Sequence, residues 1–348
     1  MKFDNFYIDC VNFKGIKKIY LDELKRKVDV VICKEKGICF PFDCNKNCQY
    51  YIAKKILLSQ TWESYQIPKK LFYHIYIGDS EVVLRKKLKD ESIDFVFTSP
   101  PYFVARDTEV WETYDMFLEK MKSIFKEVYR VMKRGRMVAV NVADYAYEGE
   151  HYPLGADFTS ILVNELKFKY IMTVIWRKPE GISNSFGQFA GNFLKWRNPL
   201  YFYPNQNFEY IILVRKGKLN MDEYRSKLEY KYSVEYIESK LRPYLQAVWD
   251  ILPKTTNRYH PLEFPTKLVE VALDLFTVPG DVVLDPFVGS GTTSVVCKKK
   301  LRSCIGIDIN PQYLPIIRKR LGWDEKKKQY IPIKGVDCEF KEEFVGSE

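Results

Sequence analysis

Residues 281–293 read DVVLDPFVGSGTT, a short apolar run followed by a turn that contains glycine. The run DVVLD is typical of a buried strand, and Gly289 and Gly291 fall where the next helix would begin. Glycine at such a turn lets the backbone approach a ligand closely. No Lys precedes the threonines, so the stretch lacks the residue with which a P-loop holds a nucleoside triphosphate.

An acidic residue follows this turn at a spacing that suits a nucleoside. The run CIGID from Cys304 predicts the next strand, which ends in Asp308, nineteen residues after Gly289. A carboxylate at this position can accept hydrogen bonds from the two hydroxyls of a ribose. The turn and the acid together favour a nucleoside-containing ligand that is not rich in phosphate.

Seven short apolar runs predict the strands of one sheet. Between them lie helical periodicities, each with a single apolar stripe. Strands that alternate with helices predict an α/β fold in which a mostly parallel sheet is covered on both faces. The seven runs are FYHIYI from Phe72, IDFVFT from Ile93, RMVAVNV from Arg136, YIMTVIW from Tyr170, FEYIILV from Phe208, DVVLD from Asp281 and CIGID from Cys304.

The second of these strands runs into Ser99, Pro100, Pro101 and Tyr102. Two consecutive prolines make a stiff turn without two backbone donors, which leaves carbonyl oxygens free to accept. An exocyclic amino group is a poor nucleophile because its lone pair is delocalised, and acceptors that take its hydrogens release that pair. The Ser99 side chain and the Pro100 carbonyl are candidate acceptors. Tyr102 is a candidate platform on which a flipped base stacks.

Both motifs resemble those of the β-class S-adenosylmethionine-dependent DNA amino-methyltransferases, over roughly residues 71–322. DPFVGSGTT and HPLEFPTKL at 260–268 are similar to the family's cofactor motifs, and TSPPY is similar to its catalytic motif. TSPPY precedes the glycine motif by about 185 residues, the order of a circularly permuted, Rossmann-like methyltransferase. The Ser form of the motif resembles the cytosine N4 enzymes more than the adenine N6 enzymes. We therefore rank cytosine N4 first and adenine N6 second.

The resemblance implies S-adenosylmethionine as the cofactor and double-stranded DNA as the partner. It implies that Trp176 and Lys178, in WRKPEGISN, shape the pocket of the flipped base, although a structural role for Trp176 is an equal alternative. The implied catalytic residues are Ser99, Pro100, Pro101 and Tyr102. The implied cofactor residues are Asp285, Phe287, Gly289 and Gly291 around the methionine and ribose, Phe264 and Thr266 at the methionine end, Asp308 at the ribose and Asp79 at the adenine.

In that family the target recognition region lies before the HPLEFP segment, here within residues 179–257. It includes a tyrosine-rich, charged insert at 218–257. Donors in this region can meet phosphates or base edges, and the candidates are Lys195, Arg197, Asn198 and Arg242.

These patterns divide the chain into five parts. An N-terminal extension at 1–70 precedes the catalytic half of the sheet at 71–217. The recognition insert at 218–257, the cofactor-binding half at 258–323 and a C-terminal tail at 324–348 follow.

The composition is that of a folded protein with a basic surface. The net charge is +10, and the first 70 residues hold fourteen Lys and Arg against eight Asp and Glu. Such a surplus suits a polyanion, although a lysine-rich solvated surface is the alternative. No apolar run is long enough to cross a bilayer, and MKFDNFYIDC has no secretory signal pattern. A cytoplasmic protein without a membrane partner is expected.

Four cysteines in the N-terminal extension lie close together: Cys33, Cys39, Cys44 and Cys48. Four thiolates can hold a tetrahedral zinc ion, but these spacings lack the paired CxxC pattern of a typical zinc site. Zinc and ordinary reduced cysteines both stay open, and a disulfide is disfavoured in a cytosol.

Three further interpretations concern the activity. Methylation at cytosine C5 uses a Cys nucleophile after Pro, and this sequence has no Pro-Cys dipeptide. A site-specific enzyme in a restriction-modification system, with a cognate restriction endonuclease as partner, is the favoured setting. A catalytically inactive nucleic-acid-binding protein of the same fold is the alternative from another class.

Overall fold

The structure of the 348-residue chain is a computed structural model. It describes residues 13–21, 26–33, 37–39, 62–64, 67–103, 111–147, 150–179, 206–227, 230–253, 263–333 and 335–346. For the strands before residue 67, the backbone alone is described.

The described strands are β1 Phe13–Leu21, β2 Arg26–Cys33, β3 Gly37–Cys39, β4 Trp62–Ser64, β5 Lys70–Ile77, β6 Ile93–Thr98, β7 Met132–Val142, β8 Tyr145–Tyr147, β9 Glu150–Tyr152, β10 Lys169–Arg177, β11 Phe208–Arg215, β12 Lys231–Tyr232, β13 Val248–Asp250, β14 Val282–Asp285, β15 Ser303–Asp308, β16 Trp323–Asp324, β17 Gln329–Tyr330 and β18 Asp337–Phe344. The described helices are α1 Ser80–Lys87, α2 Tyr114–Val131, α3 Leu154–Ser160, α4 Met221–Ser226, α5 Val234–Tyr236, α6 Thr266–Phe276, α7 Thr292–Lys300 and α8 Tyr313–Leu321. A π-helical turn, Ile161–Glu165, continues α3, and the turns Ile237–Leu241 and Arg242–Tyr244 continue α5.

Nine of the described strands form the main sheet, in the order β13-β10-β11-β7-β6-β14-β15-β5-β18. Strand β11 runs antiparallel to both of its neighbours, and all other pairs are parallel. The predicted mostly parallel sheet is therefore confirmed. All seven predicted strands are present as β5, β6, β7, β10, β11, β14 and β15.

Helices cover both faces of this sheet, as the apolar runs predict. Along β6, Val96 belongs to the core cluster that contains α1, α2 and α3, whereas Phe95 and Phe97 belong to the cluster that contains α6 and α7. A smaller cluster joins β5 to α8 through Ile75 and Ile317. Both faces of the strand are fully buried, which explains why IDFVFT is apolar without alternation.

The order of the strands creates a switch point in the middle of the sheet. From β14 the chain continues through α7 to β15 on one side, while from β6 it continues through α2 to β7 on the other. In open α/β sheets, ligands bind where adjacent strands lead away in opposite directions, at the carboxyl ends of the strands. We call this side of the sheet, where β5, β6, β14 and β15 end, the carboxyl edge, and the opposite side the amino edge.

Two strands of the sheet were not predicted. Strand β13 has three residues, and β18 belongs to the segment 324–348 that was expected to be a tail. All eight residues of β18 pair in parallel with β5. Asp337, Glu339 and Lys341 are exposed, while Phe340 stacks on Tyr73 with ring centroids 5.1 Å apart. A strand so rich in charge gives little apolar signal, which is why the sequence did not reveal it.

The first part of the insert 218–257 packs at the amino edge. Glu223 of α4 accepts a hydrogen bond from Arg136 Nη2 at 2.6 Å, and Lys227 pairs with Asp281, the residue before β14. Tyr236 then donates to Asp274 Oδ2 near the end of α6 at 2.6 Å. The predicted recognition role of the insert 218–257 stays a prediction, and the contacts of Glu223, Lys227 and Tyr236 place these residues on the side of the sheet opposite to the two motifs.

In the part of the chain that the structure describes, helices with the length and apolar character needed to span a bilayer are absent.

Candidate functional site

The two motifs meet at the switch point. Strands β6 and β14 are parallel neighbours, with Phe95 opposite Val283 and Val96 opposite Leu284. The Thr98 hydroxyl at the end of β6 donates to Asp285 Oδ1 at the end of β14, over 2.7 Å. The proline corner follows Thr98 and the glycine turn follows Asp285, so the two loops begin at residues that are hydrogen-bonded to each other.

Asp285 is the centre of this link. Its side chain is fully buried and also accepts from Thr293 Oγ1 at 2.6 Å and from the Phe287 amide at 3.1 Å. Burial raises the pKa of Asp285 to about 6, and the hydrogen bonds from Thr293 and Thr98 oppose that rise. With three protein donors on its oxygens, Asp285 lies beneath the turn and holds it in place, and its predicted place around the cofactor stays a prediction.

The glycine turn is open on one side and packed on the other. Gly289 and Gly291 have φ of 49° and 83°, in the region that favours glycine. A Cβ atom on Gly291 would lie 3.0 Å from Ile317 Cγ1, whereas one on Gly289 would meet no described residue within 4 Å. Phe287, between Asp285 and the two glycines, is partly buried against the core. The open space at Gly289 allows a ligand to lie against the backbone.

Asp308 lies beside this turn at the end of β15. Its Oδ2 accepts from the Gly289 amide at 2.8 Å, and its Oδ1 accepts from the Asn310 amide at 2.9 Å. Burial raises the pKa of Asp308 to about 6. A carboxylate oxygen has a second lone pair, so this partly exposed group can still accept from a ligand hydroxyl.

Asp79 is held close to Asp308. The Gly78 amide donates to the Asp308 carbonyl at 2.9 Å, so the ends of β5 and β15 adjoin. Asp79 caps α1 by accepting from the Val82 amide at 3.1 Å, and its other oxygen lies 2.9 Å from Lys120 Nζ. Both oxygens thus have protein partners, and the carboxylate stays partly exposed.

The other predicted cofactor residues begin α6. Phe264 packs edge to face against Phe97 of β6, with centroids 5.4 Å apart, and Thr266 is the exposed first residue of the helix. The Phe97 contact puts this segment next to the catalytic strand. Phe264 and Thr266 therefore flank the switch point together with the glycine turn.

In the catalytic corner, Pro100 is buried, and Ser99, Pro101 and Tyr102 are half-buried. The Tyr102 ring meets Tyr145 edge to face at 5.5 Å. Burial, with the nearby Glu209 carboxylate, raises the pKa of Tyr102 well above 10, so its hydroxyl stays protonated at neutral pH. The corner thus offers neutral oxygen atoms and an aromatic ring.

A buried polar bridge adjoins this corner, and two of its residues, Asn141 and Glu209, were not predicted from the sequence. Lys178 Nζ donates to Glu209 Oε1 at 2.6 Å, and Asn141 Nδ2 donates to Glu209 Oε2 at 2.9 Å. The bridge joins the ends of β7 and β10 to the start of β11. The sequence did contain a signal for this bridge. Asn141 and Glu209 are polar residues inside the apolar runs RMVAVNV and FEYIILV, and a buried polar side chain needs a hydrogen-bond partner.

The structure favours the structural alternative for Trp176. Its side chain is 2% exposed, and its indole N–H donates to the Ile251 carbonyl at 2.8 Å. The Lys178 ammonium lies 4.8 Å over the Trp176 ring and pairs with Glu209. Both side chains lie inside the carboxyl edge, and their predicted place beside the flipped base stays a prediction.

The remaining predicted residues are partly outside the described structure. Arg242 is exposed and pairs with Glu238 one helical turn away. Lys195, Arg197 and Asn198 lie outside the described residues, as do Cys44 and Cys48. Cys33 and Cys39 lie in β2 and β3, whose side chains are not described. Within the described residues alone, no cluster of three metal-ligating side chains occurs.

A glycine turn with an acid beside it, joined to an open proline corner at one switch point, defines a Rossmann-like methyltransferase. Residues 93–319 match the DNA methylase family of N6 and N4 methyltransferases, and the chain belongs to this family. The resemblance noted in the sequence is confirmed, and with it an S-adenosylmethionine-dependent enzyme that acts on DNA.

The relatives cover most of the chain. The type II methyltransferase M.MjaI of Methanocaldococcus jannaschii is 25% identical over an alignment of 311 residues, and the match covers 78% of this chain and 96% of that protein. The type II methyltransferase M.Cfr9I of Citrobacter freundii is 28% identical over 268 residues, 71% of this chain and 87% of that protein.

Solved structures share the fold. A candidate DNA modification methylase from Thermus thermophilus, solved with S-adenosyl-L-methionine, superposes with a TM-score of 0.54 at 25% identity, over 77% of this chain and 99% of that chain. The cytosine-N4-specific PvuII DNA methyltransferase gives a TM-score of 0.58 at 19% identity, over 79% of this chain and 99% of that chain. At that identity the likeness concerns the fold alone.

The site fits S-adenosylmethionine by its own geometry. The open space at Gly289 gives room beside the backbone, and the partly exposed Asp308 carboxylate retains lone pairs for ribose hydroxyls. Phe264 offers an apolar surface next to the catalytic strand.

The hydrogen bond from Thr98 to Asp285 should matter for both stability and turnover. Thr98→Val keeps the shape of a fully buried side chain but removes a donor to a buried carboxylate. We expect a loss of about 2 kcal/mol in the free energy of unfolding and about tenfold lower turnover, measured by urea denaturation and methyl transfer. The matched control is Thr159→Val, whose hydroxyl bonds its own helix at Gly155 O, and it should stay close to wild type. Wild-type turnover in Thr98→Val would show that the link is not needed for catalysis.

Proposed function

We propose that this enzyme transfers a methyl group from S-adenosylmethionine to the N4 amine of a cytosine that is flipped out of double-stranded DNA. The choice of cytosine rests on the presence of Ser at position 99, because the adenine enzymes that the sequence resembles usually have Asp there. Adenine N6 is the second candidate, since the same corner accepts hydrogens from either amine.

Each part of the site has a proposed role toward the cofactor. Asp308 accepts from the ribose, Asp79 contacts the adenine, and Phe264 with Thr266 holds the methionine end. Gly289 gives the space in which the cofactor lies against the turn. When bound, the cofactor supplies an electrophilic methyl group on a sulfonium.

The catalytic corner activates the amine. Ser99 Oγ and the Pro100 carbonyl oxygen accept hydrogen bonds from the two N–H groups of the amine, which favours a pyramidal nitrogen with a localised lone pair. Tyr102 stacks on the flipped base and, with its hydroxyl protonated, adds no negative charge to the pocket. Positioning of the nitrogen in line with the methyl carbon then supplies most of the rate. The products are the N-methylated base, S-adenosylhomocysteine and one proton.

Recognition of DNA is proposed for the segments that adjoin the carboxyl edge. Lys178 lies just before the segment 180–205 and bonds to Asn207 after it, since its amide donates to the Asn207 carbonyl at 2.7 Å. Lys195, Arg197 and Asn198 within that segment remain the predicted donors, and Arg242 is a weaker one. The net charge of +10 supports the phosphate contacts.

The setting that we propose is a type II restriction-modification system with a cognate endonuclease as partner, because both relatives above are type II methyltransferases. An inactive DNA-binding protein is disfavoured, since Ser99, Tyr102, both glycines and Asp308 are all present in one site.

The deciding experiment is nucleoside analysis of DNA methylated by the purified enzyme. Cytosine specificity predicts 4-methylcytosine in the digest, whereas 6-methyladenine would replace our proposal with the second candidate. Absence of both, in a protein that still binds DNA, would favour the inactive alternative.

The catalytic assignments predict the effect of two substitutions. Ser99→Ala removes one acceptor and Tyr102→Ala removes the stacking ring, so each should lower turnover by about a hundredfold or more. Affinity for S-adenosylmethionine, measured by calorimetry, should change less than about threefold, because neither side chain is assigned to the cofactor. Wild-type turnover in either variant would refute its assignment.

The raised pKa of Asp308 predicts a pH dependence of cofactor binding. Above a pKa of about 6 the group is an ionised acceptor, and as the pH falls through 6 it gains a proton and accepts more weakly. Affinity for S-adenosylmethionine should therefore fall about tenfold between pH 7 and pH 5. Calorimetry on Asp308→Asn should show weaker binding with a flat profile. An unchanged profile in that variant would assign the titration to another group, such as Asp285.

A further inference from the structure

Helix α8 contacts the glycine turn from behind with two residues of one face. Ile317 packs against Gly291, where a Cβ atom would come within 3.0 Å of its side chain. Arg320, three residues later, lies on the same face, and its side chain is 8% exposed. A buried guanidinium group needs hydrogen bonds and an opposite charge nearby to offset the loss of its hydration.

Arg320 finds its partners in the glycine turn and in the segment before α6. Its Nη1 donates to the Ser290 carbonyl at 2.9 Å and to Ser290 Oγ at 2.6 Å. The same atom lies 2.8 Å from Glu263 Oε1, whose side chain is 3% exposed. Glu263 in turn accepts from Thr292 Oγ1 at 2.9 Å. Ser290 lies between the two glycines, and Glu263 precedes Phe264.

A buried ion pair is a weak source of stability, because the loss of hydration roughly cancels the attraction between its charges. Its geometric effect comes from the segments that it joins, since Arg320 bonds Ser290 of the glycine turn and pairs with Glu263 before α6. The pair therefore fixes the distance between the glycine turn and Phe264. Both of those features flank the proposed cofactor site.

We propose that Arg320 and Glu263 are positioning residues that set the affinity for S-adenosylmethionine. Neither is assigned a contact with the cofactor. They hold the turn and the start of α6 in the arrangement that binds it, so that little ordering is left to the binding step. This inference rests on the proposed placement of the cofactor at Gly289 and Asp308.

The test is calorimetric titration of the full chain with S-adenosylmethionine, without DNA. Arg320→Met should raise the Kd at least about tenfold, and Arg320→Lys should recover part of the loss because an ammonium keeps the charge. The matched control is Arg318→Met, on the same helix, since Arg318 pairs with Glu342 away from the turn. Its Kd should stay within about twofold of wild type.

A double-substitution cycle separates positioning from general stability. Glu263→Gln should weaken binding severalfold, and Arg320→Met with Glu263→Gln should weaken it no more than Arg320→Met alone, because both act through one contact. Affinity for DNA, measured by fluorescence anisotropy, should change less than about twofold in each variant. If Arg320→Met fails to fold, Glu263→Gln and Arg320→Lys still decide the question.

Asp308→Asn distinguishes the ways in which this inference can fail. If Asp308→Asn weakens binding and the Arg320 and Glu263 variants bind like wild type, the positioning role is refuted alone. If Asp308→Asn also binds like wild type, or the wild-type chain does not bind S-adenosylmethionine, the proposed cofactor site is refuted with it. Additive losses in the double variant would refute the shared contact.

Discussion

One buried carboxylate joins the two halves of the catalytic centre. Asp285 has no access to water, yet it is bonded to Thr98 from the catalytic strand and to Thr293 from the helix that follows the glycine turn. A charge in this environment is tolerated only with its full set of donors. The fold therefore cannot separate the strand that carries the acceptors from the turn that adjoins the cofactor without exposing or orphaning that group.

The same logic extends outward from Asp285. Gly289 is tied to Asp308, and the buried pair of Arg320 and Glu263 supports the turn from the other side. Polar contacts at the carboxyl edge thus form successive supports for one short loop. Methyl transfer needs no metal ligand or covalent nucleophile from the chain, so accuracy of placement is the property that these contacts supply.

Sequence patterns were sufficient for seven strands of the sheet and for the order of its motifs. Parallel strands end at the same edge, so TSPPY and the glycine turn belong at one edge, but the direct pairing of β6 with β14 depends on the strand order, which local signals do not contain. The position of the insert 218–257 could not be predicted from the sequence patterns. Its tyrosines bond Asp274 on α6, a contact between segments that no local pattern links.

The pair of Arg320 and Glu263 was invisible for the same reason, since each residue alone reads as an ordinary surface charge. For Trp176 the sequence left a place beside the flipped base and a structural role as equal alternatives, and the structure adds that its indole N–H is bonded to the Ile251 carbonyl inside the fold. Long-range hydrogen bonds determine whether such a residue lies at the surface or inside the fold, and sequence periodicity contains no information about these bonds.

The outer strand β18 also limits how far the sheet can extend. Along its length, Glu339, Lys341 and Glu343 alternate in sign and engage partners on the same molecule, among them Lys70 and Lys87. A second chain that added itself to this margin would have to desolvate those charges, which disfavours self-association into continuous sheets. The charges of β18 therefore disfavour aggregation through this margin of the sheet.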